Sequence, residues 1–314
     1  PPRSTLFPYT TLFRSMLRAW FGIDFPLPIY TYGFMLAVAI LTASALAGRE
    51  LKRLQKIGKL GKLTEKVKDK NGRISQVAIN PSDLMSNITI IAAIAGVIGS
   101  KVFYILESPG GDVVGKLFSS GGLTFYGGLI FGTASVLYYV HKKGITGVSL
   151  PVFMDALAPT VILAYGIGRI GCHLSGDGDW GIPANMALKP DFLPAWLWAE
   201  TYPGNIAGEV IAAPGVYPTP LWEFMACFVI FGVLMALRNH PFKPGWVFSL
   251  YLLLNGLERF LIEKVRVNAR FDFLGFQTTQ AELIASILIV AGIVGLLLTT
   301  RKAKGDVTPA PTVP

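Results

Sequence analysis

Tyr165-Gly-Ile-Gly-Arg-Ile-Gly-Cys-His-Leu-Ser-Gly-Asp-Gly-Asp-Trp-Gly181 closes an apolar run that begins near Val152. Crossing a hydrocarbon core takes about 20 apolar residues, so Arg169 falls at or near the edge of a bilayer. An ionisable group at that depth is costly and as a rule faces a cavity or a partner, which makes it a functional-site candidate. The glycines around it let backbone or ligand come close. Something anionic is expected to meet Arg169.

Comparable runs recur on either side, at about 29–48, 84–106, 122–141, 152–173, 220–238, 245–264 and 281–300. The chain is 52% hydrophobic and only 15% charged, which sets it apart from an ordinary soluble domain. The expected fold class is an all-α polytopic membrane protein with seven transmembrane helices. Basic residues orient it. Ten Lys and Arg lie between Arg49 and Arg73, and Lys142, Lys143, Arg238, Lys243, Arg301, Lys302 and Lys304 fall on the same side. The opposite loops are poor in them, with Lys116, Lys189, Arg266 and Arg270. The positive-inside rule then places the N-terminus outside and the C-terminus in the cytoplasm. The net charge of +9 is thus mostly a topology signal. Nucleic-acid binding would need a basic folded face, and none is visible. Attraction of the 49–73 segment to anionic membrane lipid fits its charge.

Residues 1–15 precede the first methionine, Met16, and read as a non-native adapter segment, with native initiation expected at Met16. Residues 16–302 form a single transmembrane catalytic domain on this reading, and 303–314 a disordered tail. The segment 174–218, rich in Trp, Pro and Gly, is expected to form a small extracytoplasmic cap. Two cysteines and three histidines give no metal-ligand spacing, so no metal is expected. Cys172 and Cys227 are not expected to form a disulfide.

The chemistry must come from polar groups in or beside the spans. Span two carries Lys101. Span three opens on Gly121-Gly-Leu-Thr-Phe-Tyr-Gly-Gly-Leu-Ile130, with Tyr126, Gly127 and Gly128 near the outer surface. Span four ends at Arg169, span five begins at Thr219-Pro-Leu-Trp-Glu223, and span six holds Glu258, Arg259 and Glu263. Arg259 and Glu263 are four apart and share a helical face. Under the topology above most of these groups lie in the outer half of the membrane, where they could converge on one site. Guanidinium groups make forked, charge-assisted hydrogen bonds to phosphate, and a phospholipid headgroup is the anion available at that level. The structural alternative makes Arg259–Glu263 an internal salt bridge and Arg169 a snorkelling residue. Several unpaired-looking charges on different helices speak against it.

With these residues in view, the sequence resembles the prolipoprotein diacylglyceryl transferase family. That family's Gly-Arg-x-Gly-Asn, three residues, then Gly-Glu reads here as Gly168-Arg169-Ile170-Gly171-Cys172, His173-Leu174-Ser175, Gly176-Asp177. Its His-Gly-Gly appears as Tyr126-Gly127-Gly128, its Gln-Leu-Tyr-Glu as Pro220-Leu221-Trp222-Glu223, and its Arg-Phe-x-x-Glu as Arg259 to Glu263. The likeness runs from Tyr32-Gly33 to Glu263, with the motifs in order.

The resemblance implies a multi-pass enzyme of the bacterial inner (plasma) membrane that uses no cofactor. It would move the diacylglyceryl group of phosphatidylglycerol to the lipobox cysteine thiol of a preprolipoprotein, whose signal peptide is the second partner. A thioether forms and glycerol-1-phosphate leaves. Displacement at an sp³ carbon asks the protein to help deprotonate a thiol and to stabilise a phosphate leaving group. On this resemblance Arg169 and Arg259 take the phosphate, with Lys101, Gly127 and Gly128 in the substrate site. Glu263 orients Arg259, Glu223 is a second orienting group, Asp177 holds the signature loop or the glycerol hydroxyls, and Tyr32 matches a position tied to activity.

Two departures shift roles. A phenol near its reference pKa of about 10 is a poor base at neutral pH, so Tyr126 suits hydrogen bonding better than proton transfer. Cys172 stands where the family has Asn and is followed by His173, a candidate to replace the missing base; the alternative is an ordinary loop histidine. Besides an active transferase, the chain could be a phospholipid-binding paralogue with altered or lost activity. A transporter would call for discontinuous spans or repeated halves, and the sequence has neither.

Overall fold

Seven long helices stand where the apolar runs place them, in a computed structural model that describes residues 31–68, 73–108, 110, 112–118, 124–147, 149–268, 270–273 and 275–301. The expectations for residues 1–15 and 303–314 and for the Tyr126 side chain lie outside the described residues. The long helices are α1 (Thr31–Lys56), α2 (Pro81–Glu107), α4 (Phe125–Lys142), α5 (Leu150–Ser175), α7 (Thr219–Leu237), α8 (Trp246–Glu263) and α9 (Gln280–Thr299). Two short helices intervene, α3 (Val113–Phe118) and α6 (Ala195–Trp198). Strands β1 (Thr64–Lys68) and β2 (Ile74–Ala78) pair antiparallel, as do β3 (Phe271–Phe273) and β4 (Phe276–Thr278).

Five of the helices, α1, α2, α5, α7 and α9, are long and apolar enough to cross a membrane. Of the other two, α8 carries Glu258, Arg259 and Glu263 in its last two turns. Outward faces are apolar where a soluble protein would be polar: Ile90, Ile94 and Val97 on α2 and Val290 and Leu297 on α9 are each more than half exposed. Such faces fit hydrocarbon, and the chain is a mostly helical, multi-pass membrane protein.

Helix ends follow local chemistry. Asn80 accepts from the Ser82 amide at 3.1 Å, with Pro81 in the first turn of α2. Thr279 and Glu282 form a capping box on α9.

The chain divides into two units, Thr42–Ala156 and the rest. In the first, small residues bring α2 and α4 together. A Cβ on Gly128 would sit 2.6 Å from Ser100 Oγ, and one on Gly132 3.3 Å from the Ala92 carbonyl. Such stripes of small residues are how membrane helices pack closely. Gly127 and Gly128, expected in the substrate site, thus have a packing role here. Lys101 is buried in the same unit, its Nζ 3.3 Å from the Lys116 carbonyl.

In the second unit, Ala158 and Ile162 of α5, Cys227, Ile230 and Leu234 of α7 and Val247 of α8 form the apolar core. Antiparallel α8 and α9 meet through glycines, where a Cβ on Gly256 would lie 2.9 Å from the Ala285 carbonyl and one on Gly292 would strike Leu253. The 174–218 segment is an ordered cap. Pro183 and Glu200 both bridge to Val216, Trp180 stacks on Tyr202 at 5.0 Å, and Trp198, Tyr217 and Trp222 pack on one another.

Candidate active site

The core of the second unit ends in a group of ionic side chains. Tyr165 and Arg169 lie one turn apart on α5, and the guanidinium sits 5.9 Å from the phenol ring. Beyond α5 the chain turns back at Gly176 and Gly178, with φ of 61° and 94°, in the region that favours glycine. The Asp179 amide donates to Asp177 Oδ1 at 3.2 Å, and Thr219 Oγ1 donates to the Asp179 carbonyl at 2.8 Å. Those bonds aim the Asp179 carboxylate at Arg169.

Glu223, near the start of α7, has no exposed surface. Its Oε1 accepts from Arg169 Nη2 at 2.6 Å and from Arg266 Nη1 at 3.2 Å. Its Oε2 accepts from the Tyr165 hydroxyl at 2.6 Å and faces Arg259 Nη1 at 3.8 Å. Arg169 Nε approaches the same oxygen at 2.6 Å without an aligned hydrogen bond, so that contact is Coulombic. Asp179 completes the group, taking Arg169 Nη1 on Oδ2 and Arg266 Nη2 on Oδ1, the latter at 2.5 Å. Arg259 Nη2 lies 3.2 Å from Glu263 Oε2, while Asn268 and Thr279 donate to Glu263 Oε1.

Arg169, Arg259 and Arg266 therefore face Asp179, Glu223 and Glu263, three charges against three. Contrary to the sequence reading, these charges are paired with one another. Desolvation makes isolated buried charges very unfavourable, and mutual pairing with hydrogen bonds offsets it. The donors are not equally occupied. The Arg169 and Arg266 side chains are 9% and 8% exposed and held by close contacts, whereas Arg259 is 24% exposed with longer ones. Arg259 has the most capacity left for an incoming anion.

Burial alone would raise the Asp179 carboxyl, but the guanidiniums of Arg169 and Arg266 outweigh it and hold it below the usual aspartate value. Cys172, Asp177 and Asp179 place their ligand atoms within 4.8 Å of one another, a spacing a metal could use. Arg169 touches both Cys172 Sγ and Asp179, and a cation beside a guanidinium is repelled, so the set suits a metal poorly.

Of the residues singled out in the sequence, Arg169, Glu223, Arg259 and Glu263 come together. Tyr32 is alongside, since a Cβ on Gly171 would lie 3.3 Å from its ring, and Tyr32 is 41% exposed. Asp177 holds the loop, and Asp179 takes the guanidiniums of Arg169 and Arg266. His173 turns elsewhere: its Nδ1 is 2.9 Å from the Tyr202 hydroxyl in the cap. Arg266 was missed as a site residue. It lies beyond the end of α8, and its partners Glu223 and Asp179 are 43 and 87 residues away along the chain, so no local spacing signals it. Its backbone is fixed by a bridge to Gly181, where a Cβ would lie 2.7 Å from the Val265 carbonyl.

Residues 18–298 match the family model described as prolipoprotein diacylglyceryl transferase. A phosphatidylglycerol–prolipoprotein diacylglyceryl transferase of Corynebacterium diphtheriae is 29% identical over 294 residues, covering 90% of this chain and 92% of the relative. One from Corynebacterium efficiens is 33% identical over 250 residues, 74% of this chain and 73% of the relative. One from Leptospira interrogans is 26% identical over 265 residues, 76% and 71%.

Proposed function

The chain belongs to the prolipoprotein diacylglyceryl transferase family, and from that premise we propose that it moves the diacylglyceryl group of phosphatidylglycerol to the lipobox cysteine of preprolipoproteins. The observation that carries this reading is the gathering of three guanidiniums around buried Glu223, with Arg259 the least occupied. The cysteine sulfur bonds to the glycerol carbon that bears the phosphate, and that carbon–oxygen bond breaks. Glycerol-1-phosphate leaves with the electron pair. Charge grows on the phosphate in that step, and Arg259 offers forked donors to it. Glu223 and Glu263 hold Arg259 in place, while Arg169, Arg266 and Asp179 form the rigid floor.

All seven long helices span the membrane on this reading, with the N-terminus outside and the 174–218 cap over the extracytoplasmic face of the bacterial inner membrane. The start of α1, the ends of α5 and α8 and the starts of α7 and α9 then fall on one side, the side that holds the ionic group. Tyr32, exposed beside Gly171, is placed to meet lipid or signal peptide. His173 anchors the cap through Tyr202 rather than serving as base. The test incubates purified protein with phosphatidylglycerol and a lipobox peptide, followed by mass spectrometry. A diacylglyceryl mass added to the cysteine is the expected result; intact lipid and peptide would favour a lipid-binding paralogue without transfer.

A further inference from the structure

Glu258 has no part in the assignments above. Val247, Tyr251, Leu254 and Glu258 follow at spacings of four, three and four, so Glu258 continues the stripe of α8 that packs on Ile162 and Cys227. The residue is 8% exposed, and neither carboxylate oxygen has a hydrogen-bond partner among the described residues. A donorless carboxyl at a core position is costly, and an apolar residue would fill the place without that cost. The charged and titratable groups around it are Glu223 and Cys227 from α7, Tyr165 and Arg169 from α5, Arg259 on its own helix and Arg266 beyond it. The α9 side brings Glu282, which is held by Lys264 and its capping box.

Resting on the transferase reading, we propose that Glu258 is the proton acceptor of the transfer step. Asp179, Glu223 and Glu263 are already engaged by guanidiniums, and protonating any of them would undo the ionic group. Among these four carboxylates Glu258 is the one with neither oxygen hydrogen-bonded; Glu263 Oε2 also lacks a hydrogen bond but faces the Arg259 guanidinium at 3.2 Å. The lipobox thiol gives its proton to a Glu258 oxygen as sulfur bonds to the glycerol carbon. The carbon–oxygen bond to phosphate breaks, and its electron pair leaves on glycerol phosphate beside Arg259. Charge and atoms balance with no further reactant.

The test compares wild type with Glu258→Gln on two peptides, one with the lipobox cysteine and one with selenocysteine there. A selenol is already ionised at neutral pH and needs no base. Loss of a general base costs about 10²–10⁴-fold, so the variant should lose that much transfer to cysteine at neutral pH while keeping transfer to selenocysteine. Its residual rate on cysteine should climb with pH toward the ordinary thiol pKa of about 8.5. The ratio of the two rates is read within one sample, so a partly misfolded variant still decides. A ratio and pH profile equal to wild type would overturn the base role. Failure of wild type on both peptides would instead sink the transferase reading.

Discussion

Replacing Glu223 by Gln removes one negative charge from the centre of the ionic group and keeps the side chain's shape. The carboxylate receives Arg169, Arg266 and Tyr165 at 2.6, 3.2 and 2.6 Å with no exposed surface. A Gln amide keeps one acceptor oxygen but turns an NH₂ toward donors. Removing one partner of a buried ion pair costs about 3–5 kcal/mol, because the remaining charge is left uncompensated. At about 2–4 °C per kcal/mol, the unfolding midpoint in detergent should fall by roughly 10 °C. The double variant with Arg169→Gln should be less destabilised than the sum of the singles, with a coupling of about 1–3 kcal/mol. Circular dichroism or a thiol-reactive dye reporting buried Cys172 and Cys227 follows the transition. A cost below about 1 kcal/mol with additive singles would refute the reasoning, since Glu223 would then not be what holds the guanidiniums.

Three other outcomes are expected. His173→Gln should retain transfer within about threefold while losing about 1 kcal/mol of cap stability with the Tyr202 bond; a collapse of activity with the fold intact would restore the histidine as base. Asp179, held below its ordinary value of 3.8 by Arg169 and Arg266, contributes stability that is full above that pH and lost as pH falls through the lowered folded value. Thermal unfolding against pH should show that acid limb in wild type and a flatter one in Asp179→Asn; identical limbs would contradict the pairing. Gly127→Ala should destabilise the α2–α4 contact by about 1–3 kcal/mol through overpacking, because its Cβ would lie 2.7 Å from Phe103 Cβ; an unchanged midpoint would contradict the close approach.

The helices were legible because span-length apolar runs leave few alternatives for the backbone in lipid. The first helix continues to Lys56, beyond the apolar limit at 48, because Arg49 to Lys56 are good helix formers and Glu50 pairs with Arg53 at 2.5 Å. Hydropathy reads lipid contact, whereas a helix ends where its backbone bonds end. Arg169, Glu223, Arg259 and Glu263 were legible as ionisable groups within or at the ends of apolar runs. Their mutual pairing was hidden, since Arg169 and Glu223 are 54 residues apart and no local spacing announces such a contact. Asp179 was illegible for a related reason: its aim depends on two glycine turns and on the Thr219 hydroxyl. The contact of His173 with Tyr202 was hidden because it spans 29 residues and depends on how the 174–218 segment folds.

Native mass spectrometry of delipidated protein supplied with equal phosphatidylglycerol and diacylglycerol, which lacks the phosphate, wild type against Arg259→Gln, tests the phosphate-gripping role of the arginine group most directly. Wild type should retain phosphatidylglycerol in preference, and the variant should lose that preference by at least about tenfold, the loss of one charged hydrogen bond. Equal retention of phosphatidylglycerol by the two proteins would contradict it.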